Sequence, residues 1–186
     1  MTVIRKVIGF QNRQLRQETI QAINNSPARH KAFESWVKTN LGKRGASSRY
    51  ITAGIVDEVI AEKVAALSGG AKLSQRVLVM TEKSLEHANS EKHHQTGVGL
   101  TAEEYASASK IIATPSLVLW DKHRRHDNLI YINKDRTIKV VVDAPNKAKL
   151  KPNEKLDAII NIYKVNMDDV VKEVNGGNYI IIQGKL

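Results

Sequence analysis

Apolar positions along the chain change their period near residue 75. Upstream they recur at helical spacing. Leu15, Ile20 and Ile23 give a weak helical pattern in a basic, polar stretch over 1–25, which reads as an arm. SPARHKAFESWVKTNLG follows. Ser26 is placed to cap, Pro27 suits the first helical position and Gly42 the stop, while Phe33, Trp36, Val37 and Leu41 share one face of an amphipathic helix. A second helix is predicted from about Thr52, burying Ile55, Val56, Val59, Ile60 and Val64 and ending at Ser68-Gly69-Gly70.

Downstream, QRVLVM reads as a buried strand, and Thr81 is placed to cap a helix over most of Glu82 to His94. Thr101 and Glu104 form a T-x-x-E capping box for a helix to about Ile112, which Thr114-Pro115 breaks. SLVLWD, LIYINK, TIKVVVDA, DAIINIYKV and NYIIIQG then read as strands, with MDDVVKEV a short helix ended by Gly176-Gly177. Helices first and strands later predict an α+β fold: N-terminal helices, then a helix pair packed on a four- to five-stranded antiparallel sheet. The expected organisation is a basic arm over 1–25, a helical segment over 26–72 and an α+β domain over 73–186.

Composition narrows the chemistry. The 186 residues suffice for a core, and with no cysteine there is neither a disulfide framework nor a thiolate metal site. No run approaches the ~18 apolar residues that span a bilayer, and the N-terminus is too interrupted for a signal peptide, so a non-membrane, non-secreted protein is expected. The net charge of +10 is concentrated: residues 1–31 and 121–155 each carry +5 and the remainder balances. Such segments favour a polyanionic partner, the RNA or DNA phosphate backbone, over a merely solvated basic surface. Arg136, the turn His123, Arg124, Arg125 and His126, and the loop Lys147, Lys149 and Lys151 are the candidate phosphate contacts.

LEHANSEKHH, residues 85–94, holds three of the six histidines. His87, Glu91 and His94 fall on one helical face, but one segment would supply every ligand and the spacing is not H-E-x-x-H, so no metal is expected. No G-x-G-x-x-G, phosphate loop or G-x-S-x-G is present, so no nucleotide cofactor or serine nucleophile is expected either. Metal-free RNA cleavage needs a histidine able to move a proton and fixed cations to hold phosphorane charge. His87, Lys92, Tyr131, Arg136, Thr137 and Lys139 are of the right types for such a site.

The order of these residues carries a resemblance. Strand QRVLVM, the helix with His87 and Lys92, GVGLTAEEYASASKIIATP ending at Pro115, SLVLWD, NLIYINK and TIKVVVD together resemble the C-terminal nuclease-like domain of phage Mu-type head morphogenesis proteins. That domain belongs to a group similar to barnase, EndoU, colicin D and RelE nucleases. KAFESWVKTNL and YITAGIVDEVI resemble the segments that precede it. The resemblance implies a metal-independent endoribonuclease of a phage or prophage, a toxin or effector, with His87, Lys92, Tyr131, Thr137 and Lys139 as catalytic positions. Its implied partners are RNA, phage head proteins or an immunity protein, and its location the bacterial cytoplasm or the virion. The alternative is a non-catalytic nucleic-acid-binding or head-assembly module on the same fold. Convergence of the helix histidine with the strand Tyr, Thr and Lys in one cleft separates the two.

Overall fold

The computed structural model describes residues 9, 11–44, 49–67, 76–122, 128–143 and 156–186. Asn12 caps α1 (Arg13–Asn24), its Oδ1 accepting from Leu15 N at 3.0 Å. Ser26 caps α2 (Pro27–Asn40), with Pro27 in the first turn as expected. The segment read as a second helix from Thr52 instead begins with a strand. β1 (Tyr50–Ile55) precedes α3 (Glu58–Leu67), which still buries Ile60 and Val64. Tyr-Ile-Thr has the β-branched and aromatic character that suits an edge strand. The apolar run crosses the strand–helix junction without a gap, and so reads as one helix.

β2 (Val77–Thr81) is the expected buried strand, and Thr81 caps α4 (Glu82–Ala88) through Ser84 N at 3.0 Å. The single helix expected to His94 is two, because Asn89 closes α4 and Ser90 opens α5 (Glu91–Gln95). Short polar side chains compete for backbone groups at such positions. The next helix is also divided. α6 (Ala102–Ala106) starts at the predicted capping box, with Glu104 N to Thr101 Oγ1 at 3.3 Å and Thr101 N to Glu104 Oε2 at 2.8 Å. α7 (Ala108–Ala113) follows Ser107 and stops before Pro115.

β3 (Leu117–Asp121), β4 (Asn128–Asn133), β5 (Ile138–Asp143), β6 (Asp157–Lys164), α8 (Met167–Asn175) and β7 (Tyr179–Gly184) complete the chain. The strands form one seven-stranded sheet in the order β1-β2-β6-β5-β4-β3-β7. The α+β class stands, but the sheet has more strands than the four or five expected and is mixed, since β2 and β6 run parallel. β1 belongs to the same sheet as the later strands.

Both faces of this sheet are covered, which is why β4 reads as the unbroken apolar run LIYI rather than an alternation. Leu129 and Tyr131 enter the main core with Phe33, Val64, Leu85 and Ile111 from the helices. Ile130 and Ile132 enter a second cluster on the other face, sealed by Val170 of α8. Among the described residues no helix is long and apolar enough to cross a membrane.

Candidate functional site

The break between α4 and α5 falls between His87 and Lys92. It brings His93, not Lys92, round to His87. The two imidazole centroids are 5.7 Å apart, edge to face, while Lys92 is exposed. His93 Nδ1 lies 3.0 Å from the Ala88 carbonyl oxygen, a contact only a protonated Nδ1 can make, so Nε2 is the free nitrogen of the neutral ring. The same carbonyl accepts from the Tyr105 hydroxyl at 2.7 Å, which fixes the end of α4 to the main core.

His93 also packs on Tyr163, ring centroids 6.0 Å apart. Tyr163 is directly opposite Lys139 in the β5–β6 register, so the two share the α8 face of the sheet. Lys139 is only 7% exposed. Its Nζ donates to the Tyr179 hydroxyl at 2.9 Å and lies 5.3 and 5.1 Å from the Tyr163 and Tyr179 ring centroids. A 2.9 Å bond to the hydroxyl places the ammonium at the end of the Tyr179 ring rather than over its face. Burial works against the charge, but the contacts with Tyr163 and Tyr179 outweigh it and hold the ammonium above the usual lysine range. Lys139 is a fixed cation at neutral pH, not a base. Burial and two tyrosine hydroxyls build this row, and no sequence signal tied Tyr163 or Tyr179 to Lys139 because their pairing depends on sheet register.

The remaining expected catalytic residues lie elsewhere. Tyr131 leaves β4 on the opposite face, is 1% exposed, and its hydroxyl has no hydrogen-bond partner among the described residues. Burial pushes that hydroxyl far above the usual tyrosine range. Thr137 ends the β4–β5 turn at φ +52°, its Oγ1 donating to the Arg136 carbonyl at 2.7 Å and its own carbonyl accepting from Val165 N at 2.8 Å. Arg136 is exposed and lines a cavity of about 380 Å³ with Glu34, Glu103, Lys110, Thr114 and Asn133; none of His87, Lys92 and Lys139 lines it. The structure therefore gathers His87 and Lys139 into one row through His93 and Tyr163, and leaves Tyr131 outside it. His123, Arg124, Arg125 and His126, and Lys147, Lys149 and Lys151, lie outside the described residues. His94, once grouped with His87 and Glu91, has its Nε2 2.9 Å from Asn89 Oδ1.

A second polar cluster went unread in the sequence. Glu58 is 1% exposed and accepts from Arg16 Nη2 at 2.7 Å and Arg76 Nη1 at 2.6 Å. Burial raises its pKa, but the two guanidinium groups more than offset this and hold the carboxyl below its ordinary range. Arg76 is itself in the left-handed region at φ +61°, pinned by its amide to Asp157 Oδ2 at 2.9 Å and by its carbonyl to Val56 N at 2.7 Å.

No family model matches the chain, and no solved structure matches it. Two curated proteins align along nearly its whole length. It is 62% identical over all 186 residues to the Mu-like prophage FluMu F protein of Haemophilus influenzae, covering 45% of that protein. It is 27% identical over 184 residues, 98% of the chain, to the putative capsid assembly protein F of Escherichia phage Mu, covering 39% of it. The chain spans less than half the length of the curated relatives it matches, and it is similar to a portion of these F proteins.

Proposed function

We propose that this chain is a module of a Mu-type phage capsid assembly protein and acts by binding other proteins of the head. The end-to-end similarity to the F protein of a Mu-like prophage carries the reading. The scattered geometry supports it: the five residues expected to cut RNA do not meet in one cleft, because Tyr131 is sealed in the core behind the sheet. An assembly module needs presented surface rather than a converged set of proton-transfer groups. The test is a Mu-type prophage whose F protein lacks the segment equivalent to this chain. After induction, electron microscopy is expected to show few or no completed heads. A normal yield of heads sinks the proposal.

One observation favours the ribonuclease as a second reading, namely the exposed His87 leading through His93 and Tyr163 to the cation of Lys139. It is separable in the tube. RNA incubated with the chain in EDTA is expected to stay intact. Cleavage that persists in EDTA and disappears in His87→Ala would restore the enzyme.

A further inference from the structure

β1 ends the sheet, and its outward backbone groups are occupied by side chains rather than by another strand. Asn24, the last residue of α1, donates Nδ2 to the Ile55 carbonyl at 2.8 Å and accepts from Ile55 N at 2.8 Å through Oδ1. One amide thus copies the paired bonds a neighbouring strand would make. Two residues back, Arg29 of α2 donates to the Ala53 carbonyl. The approach is tight: a methyl group on Gly54 would stand 2.7 Å from Ile112 Cγ2 and 3.2 Å from Asn24 Oδ1. At the far edge, Lys63 of α3 donates to the Ile182 carbonyl of β7 at 2.6 Å.

β1 carries none of the usual protection of its own. Edge strands are commonly kept apart by lysine, proline or inward charge, and YITAGI has no charged residue and no proline. Its protection comes from the α1–α2 elbow, and α1 is held mostly by polar contacts. Of its twelve residues only Ile20 and Asn24 are buried. Arg13 pairs with Glu62 at 2.6 Å, both half exposed, and Gln17 Oε1 accepts from Glu58 N at 2.9 Å. Exposed pairs of this kind add little and weaken with salt. Arg16 binds the buried Glu58, but Glu58 keeps Arg76 when Arg16 leaves, so release of α1 does not strand a buried charge.

The geometry points to α1 as a displaceable guard of β1, and to the edge it covers as the surface on which β1 of a second copy of this chain pairs antiparallel. An uncharged strand satisfies its own copy by the same contacts from both sides, the isologous arrangement that closes a dimer. The inference stands whether or not the assembly reading does.

The test uses the whole chain carrying Arg16→Glu with Asn24→Ala. Ile55 amide exchange is expected to accelerate about tenfold, the loss of two modest hydrogen bonds, and sedimentation is expected to show a dimer. With Thr52→Cys added to this cysteine-free chain, a short bis-maleimide is expected to join the two β1 strands. If the double variant does not fold, the unmutated chain at about 1 M salt, where the screening length falls to ~3 Å, gives the same readouts. Fast exchange in a chain that stays monomeric assigns the edge to another partner and overturns the inference. Unchanged exchange under both conditions overturns it as well, because the guard is then not displaceable.

Discussion

Tyr131 and Lys139 lie on neighbouring strands one register step apart, and their side chains leave the sheet on opposite faces, because Lys139 stands opposite Ile132 while Tyr131 stands opposite Val140. The tyrosine is thereby committed to the main core with an unpaired hydroxyl. A buried hydroxyl without a partner costs about 1–3 kcal/mol, and replacing it by hydrogen removes that cost at little loss of packing. Tyr131→Phe is expected to be neutral or to stabilise by about 1 kcal/mol in urea unfolding. A loss of comparable size would show that the hydroxyl has a partner, such as a bound water.

On the other face, Lys139 and Tyr179 answer differently to substitution. Tyr179→Phe removes the hydroxyl that receives the buried ammonium at 2.9 Å and leaves the charge under-solvated, a loss expected at about 1.5–3 kcal/mol for a bond to a charged group. Lys139→Met removes the charge itself and keeps the length of the stem. A buried ion replaced by an apolar residue of similar shape is often neutral or stabilising. The expected order by denaturant midpoint is therefore Lys139→Met at or above wild type, with Tyr179→Phe clearly below. The reverse order would mean that the lysine charge contributes more than its desolvation removes.

These two residues also show how far sequence reasoning reached. The strands around them were legible because runs such as LIYI and KVVV have no alternative to burial on both faces. The helix stops at Gly42 and before Pro115, and the capping box at Thr101, were legible because they rest on local chemistry. β1 was not. Its six residues run straight into α3, and only the pairing Ile51↔Met80 and Ile55↔Val77 makes them a strand. The candidate site failed for a related reason. Residue types at the right spacing in the chain say nothing of which face each strand presents, and one step of register separates Tyr131 from Lys139. His93, Tyr163 and Tyr179 meet only through that register and through the break at Asn89-Ser90.

Stability is expected to fall with acid in two stages. His30 Nδ1 lies 2.9 Å from Ser109 Oγ and 3.5 Å from Arg29 Nη2, and its pKa is lowered by burial first and then by Arg29 and Lys110. The folded state favours the neutral ring. Its contribution is complete above the unfolded value of about 6.5 and is lost as pH drops from there toward the lower folded value. The Glu58 carboxyl, also lowered, contributes above the ordinary carboxylate value of about 4.3 and is lost as pH falls through its folded value. Thermal melts across this range are expected to show an upper step that His30→Gln removes and a lower step that Glu58→Gln removes. An unchanged upper step in His30→Gln contradicts the assignment.

Thr137 offers the clearest gain. A β-branched residue at φ +52° sits where three-residue hairpin loops ordinarily carry glycine, and the left-handed region costs a non-glycine residue about 1–2 kcal/mol. Its hydroxyl bonds only the carbonyl of Arg136, the preceding residue, and the contact that ties the turn to Val165 is made by the Thr137 backbone, which glycine retains. Part of the relief is offset by the greater freedom of glycine in the unfolded chain. Thr137→Gly is therefore expected to stabilise by about 0.5–1 kcal/mol, a rise in Tm of roughly 1–4 °C for a chain of this length. A fall in Tm instead would mean that the threonine side chain makes a contact worth more than the strain it imposes, and would return Thr137 to the set of residues held in place for function.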